Sequence, residues 1–370
     1  MRTLKIGIDA RPLSQGEGAG VSQYVYNMVN GLVELKAPFS IYLYSNKKLN
    51  NSWNSKIKIR RYRSKLGSIG YVFFLPFLIR KDKLDFFWGT SHILPLFIPK
   101  KIKTLLTIHD LVYKIYPKSM KWTDLLVHFL FFQRSIKRSN RIVCVSNHVK
   151  EELESYYGNI NKVSVIYEAA NSKIFFEIKK TISMNFLKSE YGLNSPFFLI
   201  LSSIEPRKNF KRILESAADY IIENKLVYQI VLVGGRGWNN SDEFKLISDL
   251  SSKEIVKYLG YVPSDDLKYL YSGAKMLLFI SKYEGFGLPI VEAMSCGCPV
   301  ITSNKFAMNE IAGEAAVKVN PDSSDEIKKG ISIIIKDNKM FSDLGLQRVK
   351  MFSWEKAANE FANTLMELLY

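Results

Sequence analysis

The feature that most constrains this chain is an alternation of short apolar runs with segments of helical spacing, played through twice. In the first series LKIGID, FSIYLYS, KIKIRRYRS, LDFFWGT, KTLLTIHD, RIVCVS and KVSVIYEA read as strands. Between them, GEGAGVSQYVYNMVNGLVEL places Val21, Tyr24, Val25, Met28, Val29 and Leu32 on one helical stripe. KWTDLLVHFLFFQRSIKRS is a second helix, and NHVKEELESYYG a third with Asn147 as N-cap. The second series has strands PFFLILSS, YQIVLVGGRG, IVKYLGYV, KMLLFIS, PVIT and AAVKVNP. Its helices are NFKRILESAADYIIE, DEFKLISDLSSK, SDDLKYLYSGA, residues 323–336 and two at the end. Strands that are apolar throughout and alternate with helices belong to parallel sheets covered on both faces. A chain of 370 residues is too long for one core and suits two domains. The reading is therefore α/β, with two doubly wound, Rossmann-like domains facing a central cleft. They cover residues 1–172 and 173–350, with a linker near Asn171–Thr181.

Several classes fall away. Three cysteines, Cys144, Cys296 and Cys298, make neither a disulfide framework nor a metal set, which suits a reducing, cytoplasmic compartment. The opening residues read as a strand rather than a signal peptide. The longest apolar run, Tyr71 to Ile79, is interrupted by Pro76 and is too short to span a membrane. No Asp-x-Asp, H-E-x-x-H or calcium loop appears, so no metal is expected.

Ligands of doubly wound sheets bind just beyond the carboxyl ends of strands, and the chemistry-bearing motifs lie there. SKYEGFGLPIVEAMSCGCPVITSN follows the KMLLFIS strand. Glu284 falls on a glycine loop, Pro289 suits the first helical position, and Glu292 falls in that helix's first turn. Carboxylates facing a cleft bind the hydroxyls of a polyol; a helix cap plus a solvated loop acid is the plainer reading. SSIEPRKNFKRIL puts Arg207 and Lys208 at a helix start, a place for a phosphate, or else a solvated basic turn. SQGEGAGVSQY carries Gly16, Gly18 and Gly20 between strand and helix, but lacks the dinucleotide and Walker patterns. His109 in TIHDLVY follows a strand and suits a substrate hydroxyl or a structural role equally. His92 is similar. His128 reads as packing, and His148 as exposed.

Together, the glycine-rich first loop, IHD, EPRKN, VGGRGW, GYVPSDDLKYLY, EGFGLPIVEAMSCGCPVITSN and FSWEKAA resemble the family-4 retaining glycosyltransferases of the GT-B fold. The likeness covers nearly the whole chain. IGIDARPL and EPRKN resemble the subgroup rich in bacterial mannosyltransferases of surface-polysaccharide synthesis (O-antigen, capsule or exopolysaccharide). The resemblance implies that Glu284 contacts the transferred sugar and Glu292 the ribose. Arg207 and Lys208 would hold the donor diphosphate. The backbone at Phe286, Gly287 and Leu288 would meet sugar and phosphates, Gly18 and Gly20 would lie near the diphosphate, and His109 near the reacting sugar. It implies a nucleotide-sugar donor, GDP-mannose favoured over a UDP-sugar, and retention without metal or other cofactor. Residues 351–370 would return to the first domain from Phe352–Trp354. IYEAAN, 166–171, stands where many relatives carry Asn-Gly.

Charge adds a partner. Of 52 Lys+Arg and 35 Asp+Glu, residues 1–172 hold 27 and 11, so nearly all of the +17 lies there. Lys56, Lys58, Arg60, Arg61, Arg63 and Lys65 precede the apolar Tyr71–Ile79 run. Arg134, Lys137 and Arg138 end an apolar helix. Basic and apolar groups side by side suit an anionic membrane, hence peripheral attachment at the cytoplasmic leaflet and a lipid-linked saccharide acceptor. A buried helix with a solvated basic edge is the plainer reading. The same charge would suit nucleic acid, but no nucleic-acid module is recognisable, and none is expected as a partner.

Overall fold

The computed structural model describes residues 3–14, 20–35, 39–49, 53–54, 57–62, 67–235 and 241–369. The chain forms two compact units, one of Met1–Glu168 with Ser353–Tyr370, the other of Ala169–Phe352. It passes to the second unit after Glu168 and re-enters the first at Ser353.

The first unit holds β1 (Leu4–Asp9), β2 (Phe39–Ser45), β3 (Lys58–Arg61), β4 (Phe86–Gly89), β5 (Lys103–Ile108), β6 (Arg141–Cys144) and β7 (Val163–Val165). They form one parallel sheet of order β3-β2-β1-β4-β5-β6-β7. The order reverses between β1 and β4, which opens a crevice at their carboxyl ends. Ile6, Ile8, Phe86, Trp88, Leu105 and Ile142 are buried in the sheet. Helix Trp354–Met366 packs on this unit. Phe361 sets its ring 4.5 Å from that of Trp88, and Trp354 lies 5.9 Å from Tyr24. Gly31, in helix Gly20–Glu34, is where the two helices touch: a Cβ there would come within 2.7 Å of Ala358 Cβ.

The second unit holds β8 (Phe197–Leu201), β9 (Gln229–Val233), β10 (Val256–Gly260), β11 (Met276–Phe279), β12 (Val300–Ser303) and β13 (Val317–Val319). The parallel order is β10-β9-β8-β11-β12-β13, reversing between β8 and β11. Phe198, Leu214, Leu232, Leu278, Ile301 and Ile331 belong to its core. Burying each such side chain contributes roughly 1.5–3 kcal/mol before entropy is counted.

The strands fall where the apolar runs predict. Four helices do not: Gly67–Asp82, Val112–Ile115, Lys180–Tyr191 and Phe306–Ala312. Pro76 does not break the first of these. Its missing amide leaves the Val72 carbonyl without its helical donor, and the amide of Leu96 supplies one at 2.9 Å. Ser146, not Asn147, caps Asn147–Tyr157: its Oγ accepts from the Val149 amide at 3.2 Å, and its extended backbone places it just outside the helix. No helix among the described residues is long and apolar enough to cross a membrane.

Candidate active site

In the second unit, EPRKN leaves β8 and the Glu284 loop leaves β11, the two strands flanking the crevice. Pro206–Lys208 is a single 3-10 turn, and Asn209, at φ +58, starts helix Phe210–Glu223. The Asn209 side-chain Nδ2 donates to the carbonyls of Ile280 (3.3 Å) and Pro321 (2.6 Å). The Lys282 amide donates to the Arg207 carbonyl at 2.8 Å, tying the two loops together.

This brings three of the sequence-selected side chains into one cluster. Lys208 Nζ donates to Glu284 Oε1 at 2.6 Å, and Arg207 Nη1 to Glu284 Oε2 at 3.0 Å. Arg207 Nη1 also donates to the Tyr283 carbonyl at 2.7 Å. Its other nitrogen faces Glu205, 3.7 Å away, whose carboxylate accepts from Ser203 Oγ. Burial alone would raise the Glu284 carboxyl, but Lys208 and Arg207, with a bond from Ser281, outweigh it and hold it at about 2. Burial lowers the Lys208 ammonium, against the pull of Glu284.

Glu292 is set apart from this cluster. Helix Leu288–Ser295 begins at Leu288 because Gly287, at φ +99, stands at its N-cap. Pro289 is therefore the second helical residue, and Glu292 the fifth, beyond the first turn rather than in it. Glu292 is buried and accepts from the Tyr271 hydroxyl at 2.9 Å. Burial, then Glu292, pushes the Tyr271 phenol well up. Phe286 packs its side chain edge-on to Phe352 at 5.8 Å.

In the first unit, Gly20 begins helix Gly20–Glu34 after β1; Gly18 lies outside the described residues. His109, after β5, is buried, with Nε2 2.9 Å from the Thr90 carbonyl and Nδ1 3.2 Å from Glu168 Oε1. His92, after β4, is buried with φ +62, and burial lowers it to about 3. His128 donates to the Asp124 carbonyl at 2.8 Å and sits among aromatic rings. His148 is half-buried beside Glu152, not exposed, because the next helical turn covers it.

The basic residues divide. Lys58, Arg61 and Lys137 are exposed. Arg60 is held by Asp82 at 3.0 Å, and Arg138 donates to the carbonyls of Pro99 and Ile102 and to Thr104 Oγ1. Arg134 is half-buried. Lys56, Arg63 and Lys65 lie outside the described residues. Trp122, Leu126, Phe129 and Leu130 on helix Trp122–Arg138 are exposed, as are Phe73 and Phe77 on Gly67–Asp82. Phe73 and Phe131 join the two helices edge-on at 6.2 Å. Helix Trp122–Arg138 is therefore not a buried core helix.

Sequence comparison decides the family. Residues 185–348 match the glycosyl transferases group 1 model, and residues 18–172 match glycosyltransferase family 4. The O-antigen chain mannosyltransferase RfbU of Salmonella typhimurium is 31% identical over 270 residues, 71% of this chain and 69% of that protein. The chain is a family-4 glycosyltransferase. This glycosyltransferase is also 36% identical over 170 residues to O-antigen chain mannosyltransferase B of Escherichia coli, a match spanning 45% of each chain. Its two sheets superimpose on sucrose-phosphate synthase of Thermosynechococcus elongatus with a TM-score of 0.80, at 18% identity over 99% of both chains, which places it in the GT-B fold.

Four residues escaped the sequence reading. Ser281, Tyr271 and Glu205 reach the site only through the fold. Glu168 carried a signal, the departure of IYEAAN from the common Asn-Gly.

Proposed function

We propose that this glycosyltransferase moves mannose from GDP-mannose, with retention, onto a lipid-linked saccharide in O-antigen or related surface-polysaccharide synthesis. The observation that carries this is the Glu284–Arg207–Lys208 cluster at the β8/β11 crevice. As the nucleotide diphosphate leaves, negative charge gathers on its phosphates. Arg207 and Lys208 are fixed, poorly hydrated cations that stabilise it without a metal ion. A diphosphate competes with Glu284 for the same two cations. Glu284, released from them, accepts hydrogen bonds from the sugar hydroxyls. Glu292, rigid against Tyr271, holds the ribose. Mannose as the sugar is supported by the names of the two bacterial relatives.

The acceptor side is read from the first unit. Exposed Trp122, Phe129, Phe77 and Leu130 beside Lys121, Arg80 and Lys81 suit insertion into the headgroup region of an anionic leaflet. The enzyme then works peripherally on the cytoplasmic face, where a lipid-linked acceptor is within reach.

Calorimetry with GDP-mannose, GDP and UDP-glucose tests the donor, and transfer of labelled mannose to lipid-linked saccharide tests the reaction. Binding of UDP-glucose but not GDP-mannose would sink the donor reading. Product of inverted anomeric configuration would sink retention.

A further inference from the structure

Both ring nitrogens of His109 face acceptors. A carbonyl oxygen only accepts, so the 2.9 Å contact with Thr90 puts a proton on Nε2. A neutral ring then has no proton for Nδ1, which lies 3.2 Å from the Glu168 carboxylate. That contact is a hydrogen bond only if the pair holds one more proton. Both side chains are buried, where an unpaired carboxylate is costly.

Other groups around the ring do not compete for this role. Tyr24, from helix Gly20–Glu34, meets it edge-on at 4.8 Å and sends its hydroxyl to Thr107. His92 lies 5.7 Å away, and burial keeps it neutral. Asp110 is the next residue along and turns its carboxylate to the Val112 amide. The Cys144 thiol on β6 is pushed up by burial.

We infer that Glu168 is a positioning residue for sugar transfer: from Nδ1 it fixes the His109 ring, at the end of β5, with Nε2 against the Thr90 carbonyl. This rests on His109 facing the reacting sugar. Glu168 is also the last residue before the chain passes to the second unit, so the hold on His109 sits where the chain leaves the first.

The test uses the full chain labelled with ¹⁵N-histidine, with His109 assigned from a His109→Gln variant. In wild type both His109 nitrogens should carry the ¹⁵N signature of a hydrogen-bonded ring atom. In Glu168→Ala only Nε2 should. That variant should keep its melting temperature within a few degrees and bind GDP-mannose within about twofold of wild type. Its kcat should fall about 10- to 100-fold with the donor KM little changed; Glu168→Gln, whose amide can still reach Nδ1, should restore part of kcat. A His109 with no hydrogen bond at Nδ1 in wild type, or an unchanged kcat in Glu168→Ala, would overturn the inference. Failure of wild type to bind GDP-mannose would instead tell against the donor assignment and leave the ¹⁵N result to decide the role of Glu168.

Discussion

Lys208 Nζ lies 2.6 Å from one oxygen of Glu284, while Arg207 Nη1 lies 3.0 Å from the other. One carboxylate is thus gripped by two cations from a neighbouring loop, and under the proposed function a donor diphosphate would contend with it.

That competition gives an asymmetric prediction. Glu284→Gln should lower kcat by about 100-fold or more. It should leave GDP binding unchanged or tighter, because the internal rival for Arg207 and Lys208 is weakened. Calorimetry with GDP beside steady-state kinetics separates the two effects. A loss of GDP affinity matching the loss of kcat would contradict the competition.

Glu292→Ala should behave differently. Donor affinity should fall, and the buried Tyr271 hydroxyl loses its acceptor, costing about 1–3 kcal/mol of stability. Thermal melting checks the second effect. Glu292→Gln should recover most of the stability and little of the affinity.

The Glu284 carboxyl sits at about 2 against an ordinary value of 4.5. A depressed folded value means stability that is complete above the unfolded value and is lost as pH falls toward the folded one. The difference in urea midpoint between wild type and Glu284→Gln should therefore be constant above about pH 5. It should change, to the disadvantage of wild type, between about 4.5 and 2.

The face of helix Trp122–Arg138 gives a surface test. Trp122 and Phe129 are each 74% exposed, so Trp122→Glu with Phe129→Glu should leave the melting temperature within a degree or two. Co-sedimentation with anionic vesicles at low salt should drop about tenfold. Unchanged sedimentation would remove the membrane reading while leaving sugar transfer intact.

How much of this was visible in the sequence follows from where each signal lives. The strands were legible because both faces of a parallel strand are buried, so LKIGID or FFLIL needs no neighbour to declare itself. The cluster of Arg207, Lys208 and Glu284 was half-legible. Each residue stood after its own strand, but only the adjacency of β8 and β11 puts them in contact. Helix Gly67–Asp82 was obscured by Pro76, whose cost is met by the distant Leu96 amide. The His109–Glu168 contact spans 59 residues of sequence, and the departure of IYEAAN from the common Asn-Gly marked only one end of it.

Gly31 offers a test of the closing helix. A side chain there must displace Ala358, so Gly31→Val should cost about 1–3 kcal/mol. Calorimetric unfolding should show the loss, and Ala358→Gly should relieve part of it.

The same helix has a consequence for synthesis. Ser353–Tyr370 is made only after the whole second unit, yet it belongs with residues made before that unit. While the second unit is being translated, the nascent first unit has its whole sheet but not the helix that covers Trp88 and Tyr24. Final packing of the first unit therefore waits until the second unit has been made. A stop codon just before Ser353 would spare every residue of the Glu284 cluster and still leave the first unit open.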